Sequence, residues 1–271
     1  MLPVTTGDDT PSGRAAAGVP GAAGPAGPAG CATEPTERGS DLTAGASGGL
    51  GPVDVHIDLM CPWAFQTSVW LRSVRAQSGL DLRWRWFSLE EVNHVDGKPH
   101  PWERPWAWGW SLLRIGAWLG RTSAEAVDRW CAAAGRALHV DGRKVHTPPV
   151  AREVLAEAGL DPSAVDQAIA DATTHDVVLA DHRRVTDLGG FGVPTLVFPG
   201  ERAIFGPVLR EAPTDPAAAR RLWSLVTGWL EFPDLYEVRR PKTAADWGRI
   251  GETFAPYLAA RDWPTIQREV Q

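Results

Sequence analysis

Cys61 stands in "DLMCPWAF" (residues 58–65), after a short apolar alternation and before a run that reads helical. A cysteine at a helix N-terminus faces backbone N–H groups that lack intrahelical partners, and the positive end of the helix dipole. Both stabilise a thiolate. Pro62 agrees with that placement, because proline suits the first helical turn, where its missing N–H costs nothing. Thiols in Cys-x-x-Cys sites titrate from about 3.5 to about 7, against about 8.5 for a free thiol. The sequence therefore predicts Cys61 to be a low-pKa nucleophile. The competing reading is a structural cysteine buried after a core strand.

Trp63 follows, and the fourth motif position is Ala64, where a second cysteine would complete a dithiol. A lone thiol cannot close its own disulfide. A mixed disulfide formed by attack of Cys61 must be resolved by another thiol, which points to a monothiol mechanism with a small thiol as second reactant. The chain has 3 cysteines. Cys131 falls on the apolar face of a helix and reads as structural, since cysteine is among the most buried residue types. Cys31 lies in a Gly/Ala/Pro-rich stretch that nothing places at the site.

The elements that must hold Cys61 are legible around it. In "VDVHIDL" Val53, Val55, Ile57 and Leu59 alternate with Asp54, His56 and Asp58, which is strand period. His56 is expected to point away from the core. Residues 61–77 read as a helix stopped at Gly79, and "DLRWRWF" (81–87) alternates again, giving a β–α–β unit of crossover length. Residues 100–190 carry helical patterns broken by Gly and Pro. One of them, "TSAEAVDRWCAAAGRAL", places Thr122 and Glu125 as a capping box and an apolar face through Val127, Trp130, Cys131, Ala134 and Leu138. "PTLVF" (194–198) and "RAIF" (202–205) form a hairpin across "PGE". Asp215 and Pro216 open a last core helix with a face of Leu222, Leu225, Val226, Trp229 and Leu230. The order β–α–β, helical block, β–β–α is that of a thioredoxin-like α/β fold with a large helical insertion. The divisions are 1–52 as a disordered Gly/Ala/Pro-rich tail, 53–99 with 191–232 as the thioredoxin-like domain, 100–190 as the insertion and 233–271 as an extension. Trp247, Phe254, Tyr257 and Trp263 suggest that the extension packs down.

The chain has 271 residues with 44% hydrophobic content and 14 tryptophans. A net charge of -6 and the lack of any Lys/Arg block argue against a nucleic-acid partner. No apolar run is long enough to span a membrane, no signal-peptide order is present, and few, widely spaced cysteines fit a reducing cytoplasm. In "HPWERPWAWGW" Trp102, Trp106 and Trp110 share a face if the segment is helical. They read either as a core stripe or as the wall of an aromatic pocket over Cys61, with Trp63 as its floor. His94, His100, His146 and His182 read as surface or core residues, and no His/Cys spacing resembles a metal site.

The segments "DLMCPWAF", "GVPTLVF", "IFGPVL" and "LWSLVTGWLEFPDLYEVRRPKT" resemble the DsbA-like thioredoxin-fold oxidoreductases of actinobacteria, in particular the mycothiol-dependent nitroreductases. The similarity runs from about residue 53 to about 243. It implies a cytoplasmic enzyme that uses the first cysteine of a Cys-Pro-Trp-Cys site with mycothiol as thiol cofactor, to which the residue readings add the expectations of no metal and a small hydrophobic or aromatic substrate. Cys61, Pro62, Trp63, Pro194 and Phe205-Gly206-Pro207 match the family pattern. Trp106, Trp108, Trp110, His146 and His182 match loosely, and Ala64 departs from it. The resemblance also implies that Val193–Pro194 is cis, with Val193 and Thr195 flanking a site for an extended thiol substrate. Relatives without a cysteine pair, the 2-hydroxychromene-2-carboxylate isomerases and kappa glutathione transferases, activate the cofactor's own thiolate. That isomerase or transferase reading, and a non-catalytic binding module, stay open beside the oxidoreductase.

Overall fold

The strand β1 (Val53–Ile57) lies at the centre of the described residues, which are 50–261 of this computed structural model. The expected tail up to residue 49, with Cys31, falls outside them, as does Trp263. Around β1 runs a four-stranded sheet in the order β2-β1-β3-β4. β2 (Leu82–Trp86) pairs parallel with β1. β3 (Thr195–Phe198) pairs antiparallel with β1, and β4 (Arg202–Phe205) with β3. The parallel pair is bridged by α1 (Pro62–Ser78), which stops at left-handed Gly79. A parallel pair needs such a crossover. This is the thioredoxin-like arrangement.

Both faces of β1 are covered, so its alternation does not separate core from solvent. His56 is fully buried, contrary to the expectation that it points away. Burial drives its pKa down to about 4, which keeps the imidazole neutral.

The helical block between β2 and β3 comprises α2 (Leu89–Val92), a 3₁₀ turn (Pro101–Glu103), α3 (Trp108–Leu119), α4 (Ala124–His139), α5 (Pro148–Glu157), α6 (Ala164–Ala170) and α7 (Ala172–Asp187). Two expectations fail here. Ser123, not Thr122, caps α4, accepting the Ala126 N–H. "HPWERPWAWGW" is not one helix. Pro105 drives Arg104 to an extended backbone, as proline does to the residue before it. Trp102, Trp106 and Trp110 consequently fall on a 3₁₀ turn, a loop and a helix.

α4 docks on α1 and β2 through Asp128. Its carboxylate accepts from Arg72 Nε at 2.8 Å, Arg75 Nη2 at 2.5 Å and Trp84 Nε1 at 2.7 Å. On the other flank Trp70 Nε1 donates to Ala219 O in α8 (Pro216–Gly228) at 2.9 Å. Asp215 caps α8 by accepting from Ala217 and Ala218 N–H. Its inward residues are Ala219, Trp223 and Val226, whereas Leu225, assigned to the buried face, is 68% exposed. The chain then runs exposed to α9 (Ala244–Thr253) and α10 (Ala255–Arg261), where Ile250, Phe254, Tyr257 and Ala260 are buried.

Helix α3 meets the sheet at a point where only glycine fits. A Cβ on Gly116 would fall 2.2 Å from Cη2 and 2.4 Å from Cζ2 of buried Trp86. Gly116→Ala should lower stability by about 1–3 kcal/mol through overpacking, despite alanine's better helix propensity. A reduced urea midpoint with an unchanged m-value would bear this out.

Candidate active site around Cys61

Cys61 is the N-cap residue of α1, with an extended backbone at φ -91° and ψ 114°. Its Sγ accepts the Ala64 N–H at 3.5 Å and lies 4.0 Å from the Val193 carbonyl oxygen. Val193–Pro194 is cis in the structure, as is Gly206–Pro207. Gly206 N donates to Pro194 O at 2.8 Å, and Thr67 of α1 donates through Oγ1 to Pro207 O at 2.7 Å. Thr195 Oγ1 closes the turn on Gly192 O at 2.7 Å. Cys61, Pro62, Trp63, Ala64, Val193, Pro194 and Thr195 thus come together where β1 ends, α1 begins and β3 starts.

The expected low pKa of Cys61 is not what this closed site gives. The residue is only 4% exposed, and burial pushes its thiol up to about 12. The Ala64 and Trp63 N–H groups pull the other way, while the nearby Asp58 carboxylate adds to the rise. Removal of water from the thiolate outweighs the field of the helix N-terminus.

Asp58 was read from the sequence only as the polar partner in a strand alternation, yet it shapes the site. Its carboxylate accepts from Met60 N at 2.9 Å and Leu89 N at 2.8 Å, and its carbonyl accepts from Cys61 N at 2.9 Å. Burial raises its pKa to about 6 against those two N–H bonds. α3 closes over this turn, since a Cβ on Gly109 would stand 3.3 Å from both Asp58 Oδ1 and Met60 Cγ.

An aromatic shell surrounds the cysteine turn. Phe254 meets Trp63 edge-on, with centroids 4.8 Å apart and planes at 87°. His139 donates through Nε2 to Leu59 O at 2.9 Å, stacks on Phe65 at 5.0 Å and meets Tyr257 at 5.1 Å. Burial lowers its pKa to about 4. Tyr257 and Arg261 are close enough to act electrostatically on Cys61. His139, Phe254, Tyr257 and Arg261 were not expected at this site. Apolar residues in the extension showed that it packs, but not where.

The other candidates separate into groups. Trp106, Trp108 and His146 form a cluster, with Trp106 Nε1 donating to His146 O at 2.8 Å and the Trp108 and His146 rings 5.7 Å apart. Trp110 is buried against Trp102 and His175. His182 packs on Phe87 and accepts the Ser88 N–H through Nδ1. Cys131 is buried and lines a cavity of about 10 Å³ behind Ala64, with Phe65, Ser68 and Gly135. Among the described residues, no group of three or more His, Cys, Asp or Glu side chains could hold a metal ion. None of the described helices is long and apolar enough to cross a membrane.

Residues 60–240 match the family model described as Rv2466c-like, mycothiol-dependent nitroreductase Rv2466c. The chain belongs to this family of oxidoreductases. It is also 54% identical over 216 residues to the uncharacterized protein Rv2286c of Mycobacterium tuberculosis, covering 80% of this chain and 93% of that one. Two solved structures superpose with a TM-score of 0.48 and 18% identity: a probable DsbA oxidoreductase of Streptomyces coelicolor, and the cytosolic disulfide reductase DsbM of Pseudomonas aeruginosa with GSH. They cover 71% of this chain and 94% of the first structure, and 65% of this chain and 99% of the second.

The raised thiol pKa predicts a definite pH profile. Far below its pKa the thiolate fraction grows about tenfold per pH unit. Iodoacetamide labelling of Cys61, followed by peptide mass spectrometry, should climb at that slope from pH 6 to 9 with no plateau. A plateau by pH 7.5 would mean a low-pKa thiolate in the resting protein.

Proposed function

We propose that the protein is a cytoplasmic thiol-dependent reductase that works through Cys61 alone, with mycothiol or a similar small thiol as its cofactor. Its acceptor is a small hydrophobic or aromatic molecule, or a mixed disulfide. The observation that carries this reading is the geometry of the motif. Cys61 caps α1 and accepts the Ala64 N–H, while the side chain at position 64 is a methyl group. The family description supports mycothiol.

In this reading Cys61 Sγ gives up its proton and forms a bond to one sulfur of a substrate disulfide. The substrate S–S bond breaks, and the departing thiolate takes up a proton. The Ala64 N–H stabilises the Cys61 thiolate before attack and again when it leaves. The Val193 carbonyl beside Sγ offers an acceptor to the backbone N–H of an extended thiol. When bound, the small thiol supplies the second sulfur and the electron pair that Ala64 cannot. Cys61 is then released as thiolate while the two outside sulfurs join, so one disulfide is reduced and another is formed.

A second reading is favoured by the burial of Cys61. If its thiol stays protonated, the reacting thiolate belongs to the cofactor, as in a thiol-dependent isomerase or transferase. Cys61→Ser separates the two. Mycothiol-coupled turnover should fall on the order of 1,000-fold if Cys61 is the nucleophile, and should survive if it is not. Ala64→Cys should raise dithiothreitol-driven insulin reduction severalfold by adding an internal resolving thiol. Equal activity in wild type would point to another resolving cysteine.

A further inference from the structure

Cys61 has to meet a second sulfur, yet the chain's last described helices pack on the residues beside it. Phe254 lies against Trp63, and Tyr257 lies against His139 in the shell around the cysteine turn. α10 packs on α4, and Arg210 Nη1 reaches Thr253 Oγ1 at 2.9 Å. The attachment of this pair of helices differs from everything beneath it. Every residue from Glu231 to Ala245 is exposed, and most of that stretch has no helix or strand. The family match ends at residue 240, before α9 begins. The pair is held by buried Ile250, Phe254, Tyr257 and Ala260 and by the Arg210 hydrogen bond, but a chain-terminal element joined through a long exposed tether is of the kind that opens locally while the core stays folded.

What the cap touches indicates what displaces it. Trp63 offers its indole next to the cysteine, and an aromatic ring fills that position from within the chain. The edge-on contact is a favourable aromatic geometry, available equally to a ring from outside. We propose that α9 and α10 form a displaceable cap on Cys61, and that Phe254 holds against Trp63 the place taken by an aromatic ring of the substrate. The inference rests on Cys61 as the reacting thiol. It adds a gate and an aromatic subsite at Trp63.

Maleimide labelling of Cys61, mapped by peptide mass spectrometry with Cys131 as internal reference, tests both parts. Phe254→Ala should speed N-methylmaleimide labelling of Cys61 by about tenfold or more, because opening of the cap limits access, while Cys131 stays protected. A chain ending at Thr243 should behave the same way. Unchanged Cys61 labelling in both variants overturns the gate. So does equal exposure of Cys131, which would make the segment part of the core. In Phe254→Ala, N-phenylmaleimide should outpace N-methylmaleimide at Cys61 severalfold more than it does with free glutathione, and adding Trp63→Ala should abolish that preference. No phenyl preference overturns the aromatic subsite. Labelling does not depend on turnover. An intact labelling pattern without mycothiol-coupled activity would therefore count against the reductase reading and leave the gate standing.

Discussion

At the Cys61 sulfur the field of a helix N-terminus works against the loss of water, and the rest of the structure determines which prevails. α1 supplies the Ala64 N–H, and β3 supplies the Val193 carbonyl. Asp58 adds a negative charge beneath the turn, and Arg261 at the end of α10 pulls the other way. With these in place, burial holds the thiol near 12. The same N-cap geometry in contact with water would favour a thiolate. The fold therefore sets the reactivity of this cysteine through solvent access as much as through the motif around it.

Asp58 and His139 make the cysteine turn a rigid platform. Asp58 takes N–H groups from Met60 and from Leu89 at the start of α2, so one carboxylate pins the end of β1 to the chain beyond β2. His139, at the end of α4, holds the Leu59 carbonyl and spreads its ring between Phe65 and Tyr257. Neutral imidazole suits both jobs, since it donates one hydrogen bond and stacks without carrying charge into an apolar shell. The helical block thus contributes more than bulk, because it fixes the backbone on which Cys61 sits.

Local chemistry made much of this legible from sequence. Strand alternation, Pro62 at the first helical position, left-handed Gly79 and the Asp215-Pro216 start of α8 each report on their own neighbourhood. So did the departure at Ala64. What escaped depends on distant partners. His56 follows strand period but is buried because β1 is covered on both faces. Leu225 follows helix period but lies outside the narrow contact α8 makes. Pro105 stood in plain view and breaks the tryptophan stripe. The pKa of Cys61 could not be read from its motif, because it is set mainly by burial in the folded chain.

The distance along the chain between Cys61 and the last helices has a consequence during synthesis. Phe254 is made 193 residues after Cys61, which at about 5–20 residues per second is roughly 10–40 s later. For that interval the nascent chain can assemble β1, α1 and β2 before the helices that pack on Trp63 and His139 exist. Until then the newborn thiol lacks the Phe254–Trp63 contact and the charge of Arg261, and answers to the N-terminus of α1 and to the water around it.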